Sequence, residues 1–349
     1  MKKVVALLLT LVLTIGILAA CGSSTPSTTA APGTTGAAEK SYNIGVLIFD
    51  FSNDYINYVR KGLEAAADAK KVTYMDQDAK NDQPTQNDQV DTVLNKGVDG
   101  FAIACVESGS AAAILSKITP TKLPVVFVNK QPTPEVLKTY DKTYFVGCAV
   151  KLPGVQQFQM IEEDFKADKS MDKNGDGKIQ YVVIKGENGH ENSEQRIIGM
   201  EEVIAASDLE WEQLDLQVGG WKTANAKDIM DAWISRYGDK IEVVASQNDA
   251  MALGCIEALR SQNLNIPVYG INALQSALEK LEAGELKGTV MTDMLVEGET
   301  TFQVLYNLMT GADFKTDVKA EYEEENKCFR VPTSPIRKSN IDDAWRMYK

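Results

Sequence analysis

Short apolar runs alternate with longer amphipathic segments along most of the chain. The first apolar run covers residues 44–48, and in the segment that follows, 55–69, apolar residues recur at helical spacing. Strands are also predicted at 72–75, 100–104 and 124–128, with helices at 84–95 and 110–118 between them. Strands that alternate with helices predict parallel sheets covered on both faces.

The same alternation restarts after residue 146. Strands are predicted at 181–184, 242–246 and 267–271, and helices at 192–205 and 250–260. The roughly 300 residues that follow residue 40 are more than one hydrophobic core usually holds. The sequence therefore predicts two α/β lobes, each built around its own parallel sheet.

The chain begins with a segment that has the features of an export signal. Lys2 and Lys3 precede an almost continuous apolar run at 4–18, which is shorter than the roughly 20 residues that span a bilayer. The ending Leu18-Ala-Ala-Cys21-Gly22 resembles the lipobox of bacterial lipoproteins, in which the cysteine becomes the lipidated first residue. An ordinary signal peptide with an incidental cysteine is the alternative.

We therefore expect a signal peptide at 1–20 and a lipidated Cys21 that begins a flexible linker at 21–40. This linker is almost entirely Ser, Thr, Ala, Gly and Pro, a composition that cannot bury apolar surface. The expected location is the outer face of the bacterial cell membrane or the periplasm.

The charge and the cysteines narrow the function. Loss of Lys2 and Lys3 takes the formal charge from −13 to −15, so the mature chain has no electrostatic means of gripping nucleic acid. The remaining cysteines form no C-x-x-C pair, and we predict that they are mainly buried thiols: Cys105, Cys148, Cys255 and Cys328. A disulfide outside the cytoplasm stays open.

Polar and aromatic residues follow the ends of the predicted strands. Open parallel sheets bind ligands just outside the carboxyl ends of their strands. The residues found there are Asn53, Tyr55, Asn129, His190, Asn192, Arg196, Asn248 and Asn272, and Trp221 follows the Gly219-Gly220 turn. Such groups suit a polyhydroxylated ligand, with hydrogen bonds for its hydroxyls and aromatic faces for its C–H surface. Each asparagine alone is equally well explained as a turn former or a helix cap, but their recurrence after successive strands favours a site.

Residues 172–180 begin as an EF-hand calcium loop does and end differently. The oxygen donors at alternate positions are Asp172, Asn174, Asp176, the Lys178 carbonyl and the Gln180 side chain. The twelfth position, a bidentate Glu in an EF-hand, is Val183, inside the predicted strand at 181–184. We predict a Ca²⁺ site whose closing carboxylate comes from elsewhere in the chain.

These segments together resemble the bacterial periplasmic D-galactose/D-glucose-binding proteins, which are type I sugar receptors of ABC transporters. The resemblance runs from Asn43 to about Pro332 and is strongest at 80–89, 124–130, 172–180, 185–190, 226–233, 240–244 and 248–251. It implies two Rossmann-like lobes joined by three hinge crossings that close on the sugar. The lobes would be 41–147 plus 294–330, and 148–293 plus 331–349.

The resemblance also implies roles for single residues. Glu242 would be the missing bidentate ligand of a structural Ca²⁺. The sugar contacts would be Asn53, Tyr55, Asn129, His190, Asn192, Arg196, Trp221, Asn248, Asn272 and Thr292. Tyr55 replaces a Phe and would keep an aromatic face opposite Trp221.

The chain departs from the family pattern at four other sugar positions. Asn53, Asn192 and Asn272 stand where the family has aspartates, and Thr292 stands where it has Asn. Hydrogen bonds to charged groups contribute about 1.5–3 kcal/mol and neutral ones about 0.5–1.5 kcal/mol. We therefore expect a hexose-like monosaccharide as ligand, with altered selectivity or lower affinity for glucose and galactose.

These observations predict a monomeric binding protein that delivers its sugar to an ABC permease. Enzymatic activity is disfavoured because the site carries amides where a general acid and base need carboxylates. A sensory subunit that presents ligand to a chemoreceptor or histidine kinase stays open, since its fold and site would be the same. A sugar-responsive repressor is excluded by the lipobox, the acidity and the lack of a DNA-binding module.

Overall fold

A computed structural model describes residues 40–349, so the predicted signal peptide, Cys21 and nearly all of the linker lie outside the described residues. Within Ser41–Lys349 the strands form two separate sheets. The four cysteines of this part of the chain are buried, and none pairs with another. No helix among residues 40–349 has the length and apolar character needed to cross a bilayer.

The first sheet has seven strands. They are β1 (Asn43–Ile48), β2 (Thr73–Asp78), β3 (Gly100–Ile103), β4 (Val125–Val128), β5 (Thr143–Gly147), β11 (Glu321–Glu323) and β12 (Cys328–Arg330). Their order is β11-β12-β5-β4-β3-β1-β2, and every neighbouring pair is parallel except β11–β12. The helices of this lobe are α1 (Asp54–Ala69), α2 (Gln83–Asn95), α3 (Ala111–Ile118), α4 (Pro134–Lys138) and α10 (Met294–Thr310).

The second sheet has six strands. They are β6 (Lys178–Lys185), β7 (Glu210–Val218), β8 (Val243–Ser246), β9 (Val268–Asn272), β10 (Gly288–Thr292) and β13 (Thr333–Ile336). Their order is β13-β10-β9-β8-β6-β7, and only β10–β13 is antiparallel. The remaining helices are α5 (Leu152–Ala167), α6 (Glu191–Ala206), α7 (Thr223–Tyr237), α8 (Asp249–Ser261), α9 (Gln275–Ala283) and α11 (Asp342–Trp345).

Both faces of the central strands are buried. In β1, Val46 and Ile48 belong to the hydrophobic cluster that includes α1 and α10, whereas Leu47 belongs to the cluster that includes α2 and α3. In β6, Val182 and Val183 divide in the same way between two clusters. This burial explains why these strands are continuous apolar runs in the sequence.

The chain passes between the two sheets three times, after β5, after β10 and after β12. The predicted α/β class with two lobes is thereby confirmed, while the residue-level lobe boundaries stay a prediction. Because β5, β10 and β12 run parallel to their neighbours β4, β9 and β5, each crossing leaves its sheet at the carboxyl edge.

Candidate functional site

The carboxyl edges of both sheets open into one cavity of about 330 Å³. Nine of the ten predicted sugar contacts line it: Asn53, Tyr55, Asn129, His190, Asn192, Arg196, Trp221, Asn248 and Asn272. The tenth, Thr292, is buried behind them, where its Oγ1 accepts a hydrogen bond of 3.1 Å from Asn272 Nδ2. The structure thus brings together residues that lie up to 219 positions apart in the sequence.

Two of the asparagines cap helices as well as lining the cavity. Asn53 Oδ1 accepts a hydrogen bond from the Ile56 backbone N–H at 3.1 Å, at the start of α1. Asn248 Oδ1 accepts one from the Met251 N–H at 2.8 Å, at the start of α8. Each cap fixes the orientation of its amide, so the amide nitrogen is the group that can donate to a ligand. In Asn248 this nitrogen also donates a hydrogen bond of 3.4 Å to the Trp221 carbonyl oxygen.

Several cavity residues have a left-handed backbone. Trp221 has φ = 65°, Asn129 has φ = 68° and Asn272 has φ = 124°. Residues other than glycine occupy this region at a cost of order 1–3 kcal/mol, and such strain is concentrated at functional sites. The loops after β4, β7 and β9 are therefore held in conformations that aim these three side chains.

Trp221 is packed against the backbone of a neighbouring loop. A Cβ atom on Gly186 would lie 2.1 Å from Trp221 Cζ2, so only glycine permits this approach. The His190 ring meets the indole edge-to-face at 5.2 Å, and the Arg196 guanidinium carbon lies 5.9 Å from the indole ring centroid. These three side chains form one cluster on the second lobe.

Four buried polar atoms of this cavity lack a hydrogen-bond partner of ordinary geometry among the described residues. They are His190 Nδ1, Asn192 Oδ1, Arg196 Nε and Glu297 Oε1. Buried polar groups are nearly always hydrogen-bonded, so a group of exceptions needs an explanation. Unmet donors and acceptors around one cavity are what a site prepared for a polar ligand requires.

His190 is held neutral in this environment. Burial, together with the positive charges of Lys130 and Arg196, lowers its pKa to about 3. The imidazole therefore offers one donor and one acceptor nitrogen near neutral pH.

Glu297, on α10, is a cavity residue that the sequence reasoning missed. Tyr55 donates a hydrogen bond of 2.5 Å to Glu297 Oε2, and burial raises the pKa of Glu297 to about 7. It follows β10, a strand that the apolar runs of the sequence did not predict, so the residues after the predicted strands did not include it. A stacked arrangement of Tyr55 opposite Trp221 stays a prediction.

Asp249 was also missed, and it supports the loop after β9 from behind. Its Oδ2 accepts the Leu274 N–H at 2.8 Å, and its Oδ1 accepts the Thr289 hydroxyl at 2.7 Å. A Cβ on Gly270 would lie 2.0 Å from Asp249 Oδ1, so the strand must pass close to this acid. Asp249 thereby positions the loop that carries Asn272.

The loop at 172–180 has the backbone turns of a calcium loop. Asp172 Oδ1 and Oδ2 accept the N–H groups of Gly175 and Gly177 at 2.8 and 3.0 Å. Both glycines have positive φ, at 74° and 79°. Asn174 Nδ2 and Gln180 Nε2 donate hydrogen bonds of 3.1 and 2.8 Å to Asp176 Oδ2, so three of the predicted ligand side chains meet. The two amides meet Asp176 through their nitrogens, and each would have to turn for its oxygen to face a cation.

Glu242 reaches this loop from a position just before β8. Its Oε1 accepts the Lys173 N–H at 2.7 Å, and its Oε2 accepts the Gln180 N–H at 3.1 Å. Only 1 % of its surface is exposed, and burial raises its pKa, with Asp172 adding to the effect. A buried acid beside a second acid fits a cation. Within residues 40–349 no three His, Cys, Asp or Glu side chains cluster as a metal site, so amide and carbonyl oxygens would have to complete the ligand set.

Two α/β lobes joined by three crossings, with a polar and aromatic cavity at their shared edge, define a two-lobed solute-binding protein. The sequence matches the family model of the periplasmic binding protein domain over residues 44–313, and the chain belongs to this family.

Curated relatives and solved structures agree with this assignment. The chain is 36% identical over 314 residues to the D-galactose/methyl-galactoside binding periplasmic protein MglB of Haemophilus influenzae, a match that covers 88% of this chain and 94% of that protein. It is 30% identical to a xylitol-binding protein of Mycolicibacterium smegmatis, over 87% and 82% of the two chains. The fold is similar to an ABC transporter solute binding protein from Bacillus halodurans with bound myo-inositol, with a TM-score of 0.75, 23% identity and coverage of 90% and 100%.

Proposed function

We propose that this chain is an extracytoplasmic sugar-binding protein that captures a hexose-like monosaccharide between its lobes and delivers it to an ABC permease. The observation that carries the proposal is the set of unpartnered buried polar atoms around one cavity beside Trp221. A pyranose offers alternating hydroxyl groups for such atoms and a C–H face for an indole. The ligands named for one relative, D-galactose and a methyl-galactoside, are sugars of this class, and xylitol, named for another, is an acyclic polyol that offers hydroxyl groups of the same kind.

Capture would couple binding to lobe closure. Asn53 and Asn129 belong to loops of the first lobe, whereas His190, Arg196 and Asn248 belong to the second. Only a closed arrangement allows one ligand to contact both sets, so the ligand favours closure by that difference in contacts. The closed surface would be the one that a membrane partner recognises.

The mature protein would carry two further features. A structural Ca²⁺ would be held by Asp172, Asn174, Asp176, the Lys178 carbonyl, Gln180 and Glu242, which supply oxygen donors of the kind that Ca²⁺ prefers. A lipid on Cys21 would anchor the chain outside the membrane, as its lipobox-like leader suggests.

Titration calorimetry against a panel of monosaccharides tests the proposal. We expect one hexose or hexose-like sugar to bind the folded mature protein with 1:1 stoichiometry. No binding of any panel member to folded, calcium-loaded protein would contradict it.

Asn272→Asp tests the altered selectivity. An aspartate restores a charged acceptor at a position where the family has one, so binding of glucose or galactose should strengthen. Tight binding of glucose by the wild type that this change does not improve would show that the selectivity is not altered.

A further inference from the structure

Arg196 is a buried cation without an acid to neutralise it. Only 6 % of its surface is exposed, its Nη1 donates to the Gln247 carbonyl oxygen, and its Nε has no partner. No described carboxylate lies within 4.0 Å of its guanidinium, and burial lowers its pKa. A buried ion without a compensating charge is costly, so such a site favours a ligand that brings the opposite charge.

The nearest acids are engaged elsewhere. Asp249 acts on Arg196 through its charge, but both of its oxygens accept hydrogen bonds from the loop it supports, and it does not line the cavity. Glu297 does line the cavity, but it is bonded to Tyr55 and its raised pKa leaves it partly neutral near pH 7. Neither provides a free carboxylate to the guanidinium.

The residue four positions before Arg196 is an asparagine, where an acid could have neutralised the guanidinium. Asn192 and Arg196 occupy positions i and i+4 of α6, so their side chains are neighbours on one face of the helix. Asn192 Oδ1 is itself buried and unpartnered. An aspartate here would neutralise the guanidinium, whereas asparagine leaves its charge in place.

Lys130 is a second buried cation of the cavity, whose lining also includes the acids Asp50, Asp54, Glu187 and Glu297. Lys130 is buried, its Nζ donates to the Val106 carbonyl, and it lies 4.6 Å from the centroid of the Phe49 ring. Glu187 at the rim offsets part of this charge. His190 is kept neutral by burial and by the charges of both cations.

We infer that the ligand is an anionic sugar, a hexose-sized ring bearing one carboxylate such as a hexuronate, with the carboxylate near Arg196. This inference rests on the proposed function and narrows its ligand class. A carboxylate would accept hydrogen bonds from Arg196 Nε and from the neighbouring donors, and it would replace the charge that an aspartate at position 192 would supply. The ring hydroxyls would use the remaining amides.

A comparison of the affinities for neutral and acidic sugars tests the inference. Titration calorimetry at pH 7.5 would compare D-galacturonate with D-galactose, and D-glucuronate with D-glucose, on the calcium-loaded protein. We expect one hexuronate to bind roughly tenfold or more tightly than its neutral counterpart.

Asn192→Asp and Asn95→Asp form a matched pair of variants for this comparison. Asn192→Asp supplies the missing charge beside Arg196, so the ratio of hexuronate to hexose affinity should fall below one. Asn95→Asp makes the same change in charge at the exposed end of α2, before β3 begins and away from the cavity, and should leave the ratio unchanged.

The outcomes separate the two proposals. Wild-type protein that prefers the neutral hexose overturns the anionic ligand and leaves the sugar-binding function standing. An affinity ratio that Asn192→Asp does not change also overturns it. Folded wild-type protein that binds none of the four sugars, together with no member of the monosaccharide panel, overturns both.

Discussion

Single side chains of the cavity are oriented by the backbone around them. Asn53 Oδ1 accepts a hydrogen bond at the start of α1, whereas Asn272 Nδ2 donates one to Thr292. The groups left to face the cavity are therefore the nitrogen of Asn53 and the oxygen of Asn272. An aspartate at either position would present an acceptor in both cases. Compared with an aspartate, Asn53 therefore presents a hydrogen-bond donor in place of an acceptor, and it also lacks the negative charge.

Glu297→Gln should stabilise the protein in a pH-dependent way. Because burial raises the pKa of Glu297 from about 4.5 to about 7, the folded state holds a proton that the unfolded state releases. The free energy of unfolding that is lost by ionising Glu297 in the folded state is zero below pH 4.5. The loss is complete above pH 7, where it amounts to no more than about 3 kcal/mol. Gln keeps an acceptor for Tyr55, so the melting temperature should rise at pH 8 and change little at pH 4.5.

Glu299→Gln is the control for this change, since Glu299 lies on the more exposed side of the same helix. It should alter the melting temperature little at either pH. Equal stabilisation by Glu297→Gln at pH 4.5 and pH 8 would show that its carboxyl does not titrate in this range.

The sequence supports the prediction of site residue types better than that of their geometry. Strand ends could be found because apolar runs stop there, and this located eight of the nine predicted residues that line the cavity, with Trp221 found from the Gly219-Gly220 turn. Asp249 follows β8 next to Asn248 but was given no role in the site, and Glu297 follows β10, a strand that was not predicted. Which atom of each amide faces the cavity depends on backbone contacts that form only in the folded chain.

At the scale of elements, apolar runs identified β1, β2, β3, β4, β6, β8 and β9, but missed the interior strands β5 and β10 and the edge strand β7. The edge strand β7 is partly exposed and carries polar residues such as Glu212 and Gln217, so it has no apolar run to recognise. Strand β6 begins at Lys178, three residues before its apolar run, because the end of the calcium-type loop already pairs with β7. Loop and strand thus form one continuous structure.

Glu242→Ala should remove the stabilisation that Ca²⁺ gives to this loop. Ligand that binds only the folded state stabilises it, by about 2.7 kcal/mol at one hundred times its Kd. We expect a chelator to lower the melting temperature of the wild type and to leave that of Glu242→Ala unchanged. Glu210→Ala, an exposed acid at the start of β7, should keep the wild-type response.

The chelated wild type must be shown to contain no residual metal. If its melting temperature is then unchanged, the hydrogen bonds of the loop stabilise it without Ca²⁺.

Helices α1 and α10 pack with their backbones in close approach. A Cβ on Gly298 would lie 2.0 Å from the Val59 carbonyl oxygen, and one on Gly62 would lie 2.3 Å from that of Leu295. Gly298→Ala should therefore destabilise the protein by roughly 1–3 kcal/mol, because overpacking outweighs the better helix propensity of Ala. Denaturant unfolding measures this difference.

Gly109→Ala is the matched control, since a Cβ there would meet no atom within 4 Å. A free energy of unfolding for Gly298→Ala equal to that of the wild type would mean that the two helices can separate without cost.

At the scale of the whole molecule, the two sheets and the three crossings between them place one cavity at the edge that both lobes share. The sequence could predict two lobes from the restarting alternation and the chain length. It could not show the contact between Tyr58 of α1 and Tyr348 near the C-terminus, whose ring centroids lie 5.1 Å apart. That contact joins elements from opposite ends of the described chain.

Small-angle scattering with and without a bound sugar tests most directly the claim that the ligand is held between the lobes. With the sugar that binds in the titrations at saturation, the radius of gyration of the wild type should fall. Trp221→Ala at the same sugar concentration should bind weakly and stay extended, whereas Trp345→Ala, whose ring lies outside the cavity, should close as the wild type does. A sugar that binds the wild type in the titration but leaves its radius of gyration unchanged would contradict the account.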